Sequence, residues 1–206
     1  MSNCNPKQIL DEVMPKWHSR EYHSIKVAAS TTDVIEVAEE LKWKDVPIFY
    51  YSINLLSSKK NRKKPDDTIF SLFFGSGLYQ KAYRSSEELV IVGILPVSKK
   101  IKKHELNDVI PDFQKLNEKD IVKIAANFLY KDGILSTETR NLPIGKKANL
   151  FFSIYWICIY LGSGMIRRIW LRGIRKKVMT IENNTTKNKI FNFQLNYHST
   201  DKKTKI

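Results

Sequence analysis

The stretch ANLFFSIYWICIYLGSGMI, residues 148–166, is the most informative part of the sequence, because it holds nineteen consecutive residues without a charge. Basic pairs flank it, Lys146-Lys147 before and Arg167-Arg168 after. An uncharged run of this length between basic flanks is typical of a membrane span. It also fits a helix that is buried inside a soluble domain, so the surrounding sequence has to distinguish the two structures.

The spacing of the apolar residues favours the buried helix. They recur every three to four positions through the uncharged half and through the basic half that follows, at Leu150, Phe151, Ile154, Tyr155, Cys158, Leu161, Met165, Ile166, Ile169, Trp170, Gly173 and Ile174. A membrane span has no reason to keep this phase past Arg172 and Arg175, whereas an amphipathic helix packed on a sheet does. The opposite face also carries Trp156 and Tyr160, which keeps membrane contact as the alternative.

The chain before this helix shows the patterns of an antiparallel sheet. A strand is predicted at 21–28, a helix from Val34 to Leu41, and a second helix from Pro47. Two hairpins follow, at 78–95 and at 121–142, and the second turns at Asp132-Gly133, a strong hairpin signal. This order predicts an α+β fold in which helices cover one face of an antiparallel sheet.

The second hairpin fixes which side chains share a face. A two-residue turn at Asp132-Gly133 pairs Asn127 with Glu138, Ala125 with Arg140, and Phe128 with Thr137. The apolar face carrying Phe128 should contact the long helix, so Glu138 and Arg140 are predicted to form an exposed polar patch. Alternatively, a bulge or a different turn would bring this pair into a cavity, where polar groups orient a ligand.

Three segments carry a resemblance to a known family: MPKWHSREYHSIKVAAS (14–30), ILSTETRNL (134–142) and YWICIYLGSGMIRRIWLRGIRKKV (155–178). They resemble the polyketide cyclase/dehydrase-like branch of the START/Bet v 1 (SRPBCC) superfamily. The resemblance implies a helix-grip fold, a curved antiparallel sheet wrapped around a long C-terminal helix with an apolar cavity between them. We therefore expect an N-terminal extension at 1–14, the helix-grip domain at 15–178, and a polar basic tail at 179–206, either disordered or forming one edge strand.

The composition limits the classes of partner and cofactor. The net charge is +14, yet the basic runs at 59–64, 99–103 and 167–177 accompany no nucleic-acid-binding motif, so we expect solvated surfaces and no nucleic acid. Cys4 and Cys158 form neither a disulfide framework nor a metal spacing, and residues 1–15 show no signal peptide, which predicts a cytoplasmic protein. Scattered histidines and the absence of a phosphate loop predict no metal and no cofactor.

The implied cavity suggests a binding or carrier protein for a small apolar ligand such as a lipid, isoprenoid or polyketide-like molecule. Its candidate lining is Tyr50, Tyr83, Phe128, Thr137, Glu138, Arg140, Tyr155, Trp156 and Tyr160. One alternative is a cyclase/dehydratase-type enzyme with Glu138, Arg140 or a tyrosine in that cavity, although no catalytic motif is present. Another is a membrane-surface protein that contacts anionic lipid. The apolar face around Trp156 could also form a homodimer contact.

Overall fold

A five-stranded antiparallel sheet and a long C-terminal helix form the framework of the computed structural model. The structure describes residues 8–30, 32–58, 61–75, 77–97 and 106–201, without the side chains of 56, 72, 154–163 and 190–201. The elements are α1 (Ile9–Val13), β1 (Ser19–Lys26), α2 (Val34–Glu39), a 3-10 turn (Trp43–Asp45), α3 (Pro47–Leu56), α4 (Ser71–Phe74), β2 (Tyr79–Arg84), β3 (Glu88–Pro96), α5 (Val109–Lys115), β4 (Ile121–Lys131), β5 (Ile134–Ile144) and α6 (Lys146–Asp201). The predicted α+β class with a long C-terminal helix is confirmed.

The strands lie in the order β1-β5-β4-β3-β2, so the first strand pairs with the last one. Asp132 and Gly133 have φ angles of 51° and 74°, as a two-residue type I′ turn requires. The predicted register is confirmed, because Asn127 pairs with Glu138 and Phe128 with Thr137. One side of the sheet, here the α6 face, therefore carries Phe128 and Thr137, and the other, the α1 face, carries Asn127 and Glu138.

Helix α6 packs on its face of the sheet through an apolar stripe. Trp170, Leu171, Ile174 and Val178 are buried, at the spacing of three to four residues that a packed helix requires. Gly173 allows the chain before α3 to approach closely, since a Cβ atom there would lie 2.5 Å from Cγ1 of Val46. The stripe, α2 and the start of α3 thus share one core cluster with the sheet.

The α1 face is also covered by helices, which corrects the prediction that helices occupy one face only. Leu10, Val13 and Met14 are buried against the sheet, together with Phe113 of α5. Residues 9–14 are therefore part of the packed domain and not an extension of it. Neither helix exceeds two turns, so the spacing of their apolar residues gives little indication of which face of the sheet each helix covers.

The region after Val178 continues α6 as helix to Asp201, so the predicted edge strand is wrong. Glu182 of this region accepts hydrogen bonds from the backbone N–H groups of Ser30 and Thr32, which ties the loop before α2 to α6. In the described part of the chain, which leaves out the side chains of 154–163, no helix is long and apolar enough to cross a bilayer.

Candidate functional site

A cavity of about 200 Å³ lies between the α6 face of the sheet and α6. Most of its wall is apolar. The sheet contributes Ile91, Leu95, Val122, Ile124, Ala126 and Phe128, and the helices contribute Phe73, Phe151, Phe152 and Trp170. Such a lining favours an apolar molecule over an ion or a sugar, because apolar surface gains free energy when it leaves water.

Small residues on the strands create this space. A Cβ atom at Gly93 would overlap the ring of Tyr79, so glycine allows that ring to lie across the sheet as part of the cavity wall. Ala126 leaves room next to it on β4. Aromatic rings close one end, with Trp170 packed 5.0 Å from Phe128 between ring centroids. The cavity thus follows from short side chains on the strands that face large rings on the helices.

Polar side chains occupy one part of the wall, namely Thr139, Asn141 and Arg167. Arg167 donates from Nη1 to Oγ1 of Thr137 at 3.3 Å, and its Nε lies 3.7 Å from Oε2 of Glu21. Burial lowers the pKa of the Arg167 guanidinium, although Glu21 acts in the opposite direction. Arginine nevertheless stays charged in proteins, so a cation is held at the wall of an apolar cavity.

The close approach of β1 to α6 positions this polar region. A Cβ atom at Gly164 would lie 3.2 Å from Oε1 of Glu21, so a larger residue there would crowd the carboxylate. The same oxygen lies 2.9 Å from Nε2 of His23. Glu21 is thus shared between a histidine of its own strand and the arginine of α6.

Three buried polar atoms at the cavity wall have no hydrogen-bond partner among the described residues: Oγ1 of Thr139, Nε of Arg167 and Nε1 of Trp170. A buried polar group without a partner costs about 1–3 kcal/mol. Such groups are rare in folded proteins and call for an explanation, for which a bound molecule or water at this wall is one candidate.

The predicted site residues separate into three groups. Phe128 lines the cavity, and Thr137 lies on the same face in contact with Arg167. Tyr50 packs its ring against Tyr51 and is outside the lining, and Tyr83 belongs to the core of the α1 face. The third group, Tyr155, Trp156 and Tyr160, has side chains outside the described part of the structure.

Glu138 and Arg140 lie on the α1 face, away from the cavity, and the register between β4 and β5 contains no bulge that would turn them. The predicted exposed patch is wrong as well, because α1 covers the pair and leaves them 1% and 3% exposed. Nε of Arg140 donates to Oε1 of Glu138 at 2.6 Å, and Nη1 donates to the carbonyl groups of Leu10 and Met14. These residues hold α1 on the sheet, so the enzyme hypothesis loses its two named candidates.

Further polar contacts complete this attachment of α1. Arg140 also pairs with Asp11, and Arg20 pairs with Glu138 at 2.8 Å. Burial raises the pKa of Asp11, but its hydrogen bond with Arg140 and one with the backbone of Gln8 outweigh this effect, so the pKa is lowered overall. The network on this face is structural, since each charge has a partner.

The predicted site residues did not include Thr139, Asn141 and Arg167. The two strand residues follow Thr137 at intervals of two, so the confirmed register already placed them on the α6 face. Arg167 was counted with the basic run, but it lies three residues from both Gly164 and Trp170, which are buried. Helical spacing was therefore the signal that could have identified it.

Comparisons of the chain with known protein families, with curated proteins and with solved structures find no match. Among the described residues, no group of three His, Cys, Asp or Glu side chains is arranged to hold a metal ion.

Proposed function

We propose that this protein binds a small apolar ligand, such as a lipid, isoprenoid or polyketide-like molecule, as a binding or carrier protein. The observation that carries the proposal is the cavity of about 200 Å³ with its apolar wall between the sheet and α6. We further propose that the fold is of the helix-grip type. The pairing of β1 with β5 and the packing of α6 across one face of the sheet support this arrangement.

The cavity volume indicates the size of the ligand. A cavity of about 150 Å³ accommodates benzene, which has six non-hydrogen atoms, so about 200 Å³ suits a molecule of roughly eight to ten. Burying about seven methylene groups contributes about 6 kcal/mol at about 0.8 kcal/mol each. Before the costs of association are subtracted, this corresponds to a dissociation constant on the order of 0.1 mM or below.

Native mass spectrometry of the purified protein, followed by calorimetric titration with 1-octanol, tests the proposal. We expect either a co-purified small molecule or binding of octanol to protein from which such a molecule has been extracted. The matched control is Ala126→Leu, which places three further carbon atoms in the cavity and should abolish binding. Absence of any bound mass together with absence of octanol binding would contradict the proposal.

An exposed apolar stripe on α3 supports a second candidate function, association with an anionic membrane surface. Ile48, Tyr51 and Leu55 are 71%, 70% and 85% exposed, and their spacing places them on one face of the helix. Asn54 exchanges two hydrogen bonds with the backbone of Lys63, which holds the basic loop 61–64 beside the end of this helix. Apolar side chains next to basic ones bind anionic lipid surfaces.

Flotation with phosphatidylserine-containing vesicles at low and high salt tests this candidate. We expect binding at low salt that weakens at high salt, and loss of binding in the double variant Ile48→Asn, Leu55→Asn. Met179→Asn, which changes a half-exposed apolar residue of α6, serves as the control and should bind like the unmodified protein. Equal flotation of all three proteins, or none at either salt concentration, would contradict it.

A further inference from the structure

We infer that the ligand of the cavity carries a carboxylate, which binds at Arg167 while an alkyl chain of about seven carbons fills the apolar part. This inference rests on the proposed function and specifies the chemical class of the ligand. It starts from the three buried polar atoms at the wall that have no partner among the described residues, which belong to Thr139, Arg167 and Trp170.

All three groups can donate a hydrogen bond. The Nε of Arg167 and the Nε1 of Trp170 are donors only, and the hydroxyl of Thr139 can donate or accept. Their chemical complement is an oxygen-rich acceptor. A carboxylate has two oxygens and about four acceptor positions, which is enough for three donors, whereas a single hydroxyl or carbonyl oxygen has two.

The charge of Arg167 distinguishes a carboxylate from a neutral acceptor. Its Nε lies 3.7 Å from Glu21 Oε2, too far for a hydrogen bond, and the other oxygen of Glu21 lies 2.9 Å from His23. The guanidinium is therefore ion-paired with Glu21, but its Nε has no hydrogen-bond partner among the described residues, which leaves a charged donor next to an apolar space. A hydrogen bond to an ionised partner is roughly twice as strong as one between neutral groups, so a carboxylate gains more there than an alcohol. An ammonium group would be repelled.

The layout of the wall gives the direction of the alkyl chain. Thr139 pairs with Ala126, and from there the cavity continues along β4 past Ile124, which pairs with Asn141, to Val122, where Phe152 and Leu95 close it with apolar surface. Four residues of an extended strand span about 13 Å. The carboxylate of a medium-length fatty acid therefore fits the polar part of the wall at Arg167, and its alkyl chain fits the apolar part. In this orientation no buried charge faces apolar side chains.

Calorimetric titration with octanoate, 1-octanol and octylamine tests the inference in the purified, ligand-extracted protein. We expect octanoate to bind at least tenfold more tightly than octanol, and octylamine to bind most weakly. In Arg167→Gln, this preference should disappear while octanol still binds. Thr139→Val should weaken octanoate binding several-fold without affecting octanol, and it provides the test if Arg167→Gln does not fold. Arg168→Gln, at the exposed neighbouring position, is the matched control and should behave like the unmodified protein.

The outcomes separate the two proposals. If octanol binds as tightly as octanoate, or if the preference persists in both Arg167→Gln and Thr139→Val, the carboxylate inference is overturned while ligand binding stands. If none of the three probes binds, the proposed function itself fails.

Discussion

Leucine substitutions at two neighbouring alanines of β4 should have opposite effects on stability. Ala126 lines the cavity on the α6 face, whereas Ala125 is fully buried in the packed core beneath α1. In Ala126→Leu, three added carbons fill empty space and contribute about 2.4 kcal/mol at about 0.8 kcal/mol each. The lost rotamer freedom of leucine offsets about 0.5–1 kcal/mol, which leaves a stabilisation of about 1.5 kcal/mol. Ala125→Leu overpacks a filled core and should cost about 1–3 kcal/mol.

Urea denaturation followed by tryptophan fluorescence measures both free energies of unfolding. The free energies of unfolding of the two variants should differ by about 3 kcal/mol. Their m-values should be like that of the unmodified protein, so that a shift of the urea midpoint reports a change in stability. Comparable destabilisation by both substitutions would show that the α6 face has no room for a leucine. The cavity, and with it the argument for a ligand, would then be refuted.

Three further predictions concern the contacts that hold the helices on the sheet. Arg140→Met should cost about 3–5 kcal/mol, because it leaves the buried Glu138 without its closest partner, and a loss below about 1 kcal/mol in urea denaturation would contradict this. Asp11→Asn should destabilise the protein at neutral pH. The difference in free energy of unfolding between this variant and the unmodified protein should shrink as the pH falls below about 4. The reason is that the lowered pKa of Asp11 stabilises the folded state only while the carboxylate is ionised. A pH-independent difference would count against this prediction. Gly173→Ala should lower the thermal midpoint, because a clash with Val46 costs about 1–3 kcal/mol and the better helix propensity of alanine returns only about 1 kcal/mol. Adding Val46→Ala should raise the midpoint of this variant again. If the second substitution gives no such gain, the clash is excluded.

Local patterns predicted the framework of the fold well. The turn at Asp132-Gly133 predicted the pairing of Asn127 with Glu138, because Asp-Gly is a preferred dipeptide of the two-residue type I′ turn. The phase of the apolar residues continued past Arg172 and indicated a packed helix. Both signals lie within the segments that they describe, so no knowledge of distant contacts was needed.

The burial of each face of the sheet was less predictable, because it depends on which distant segments of the chain pack against that face. Glu138 and Arg140 have the composition of an exposed patch, and their burial depends on the five-residue helix α1, more than a hundred residues earlier. Arg167 was assigned to a solvated basic run for a similar reason. A charge alone does not show whether its position on the helix faces water or a cavity.

The most direct test of a ligand site between the sheet and α6 is an NMR titration with octanoate of protein labelled with ¹³C at its alanine and threonine methyl groups. We expect the methyl resonances of Ala126 and Thr139 to shift in a saturable way, while the methyl resonance of Ala125, which lies on the other face, does not shift. Shifts confined to the α1 face, or spread without saturation over exposed residues, would contradict a ligand site between the sheet and α6.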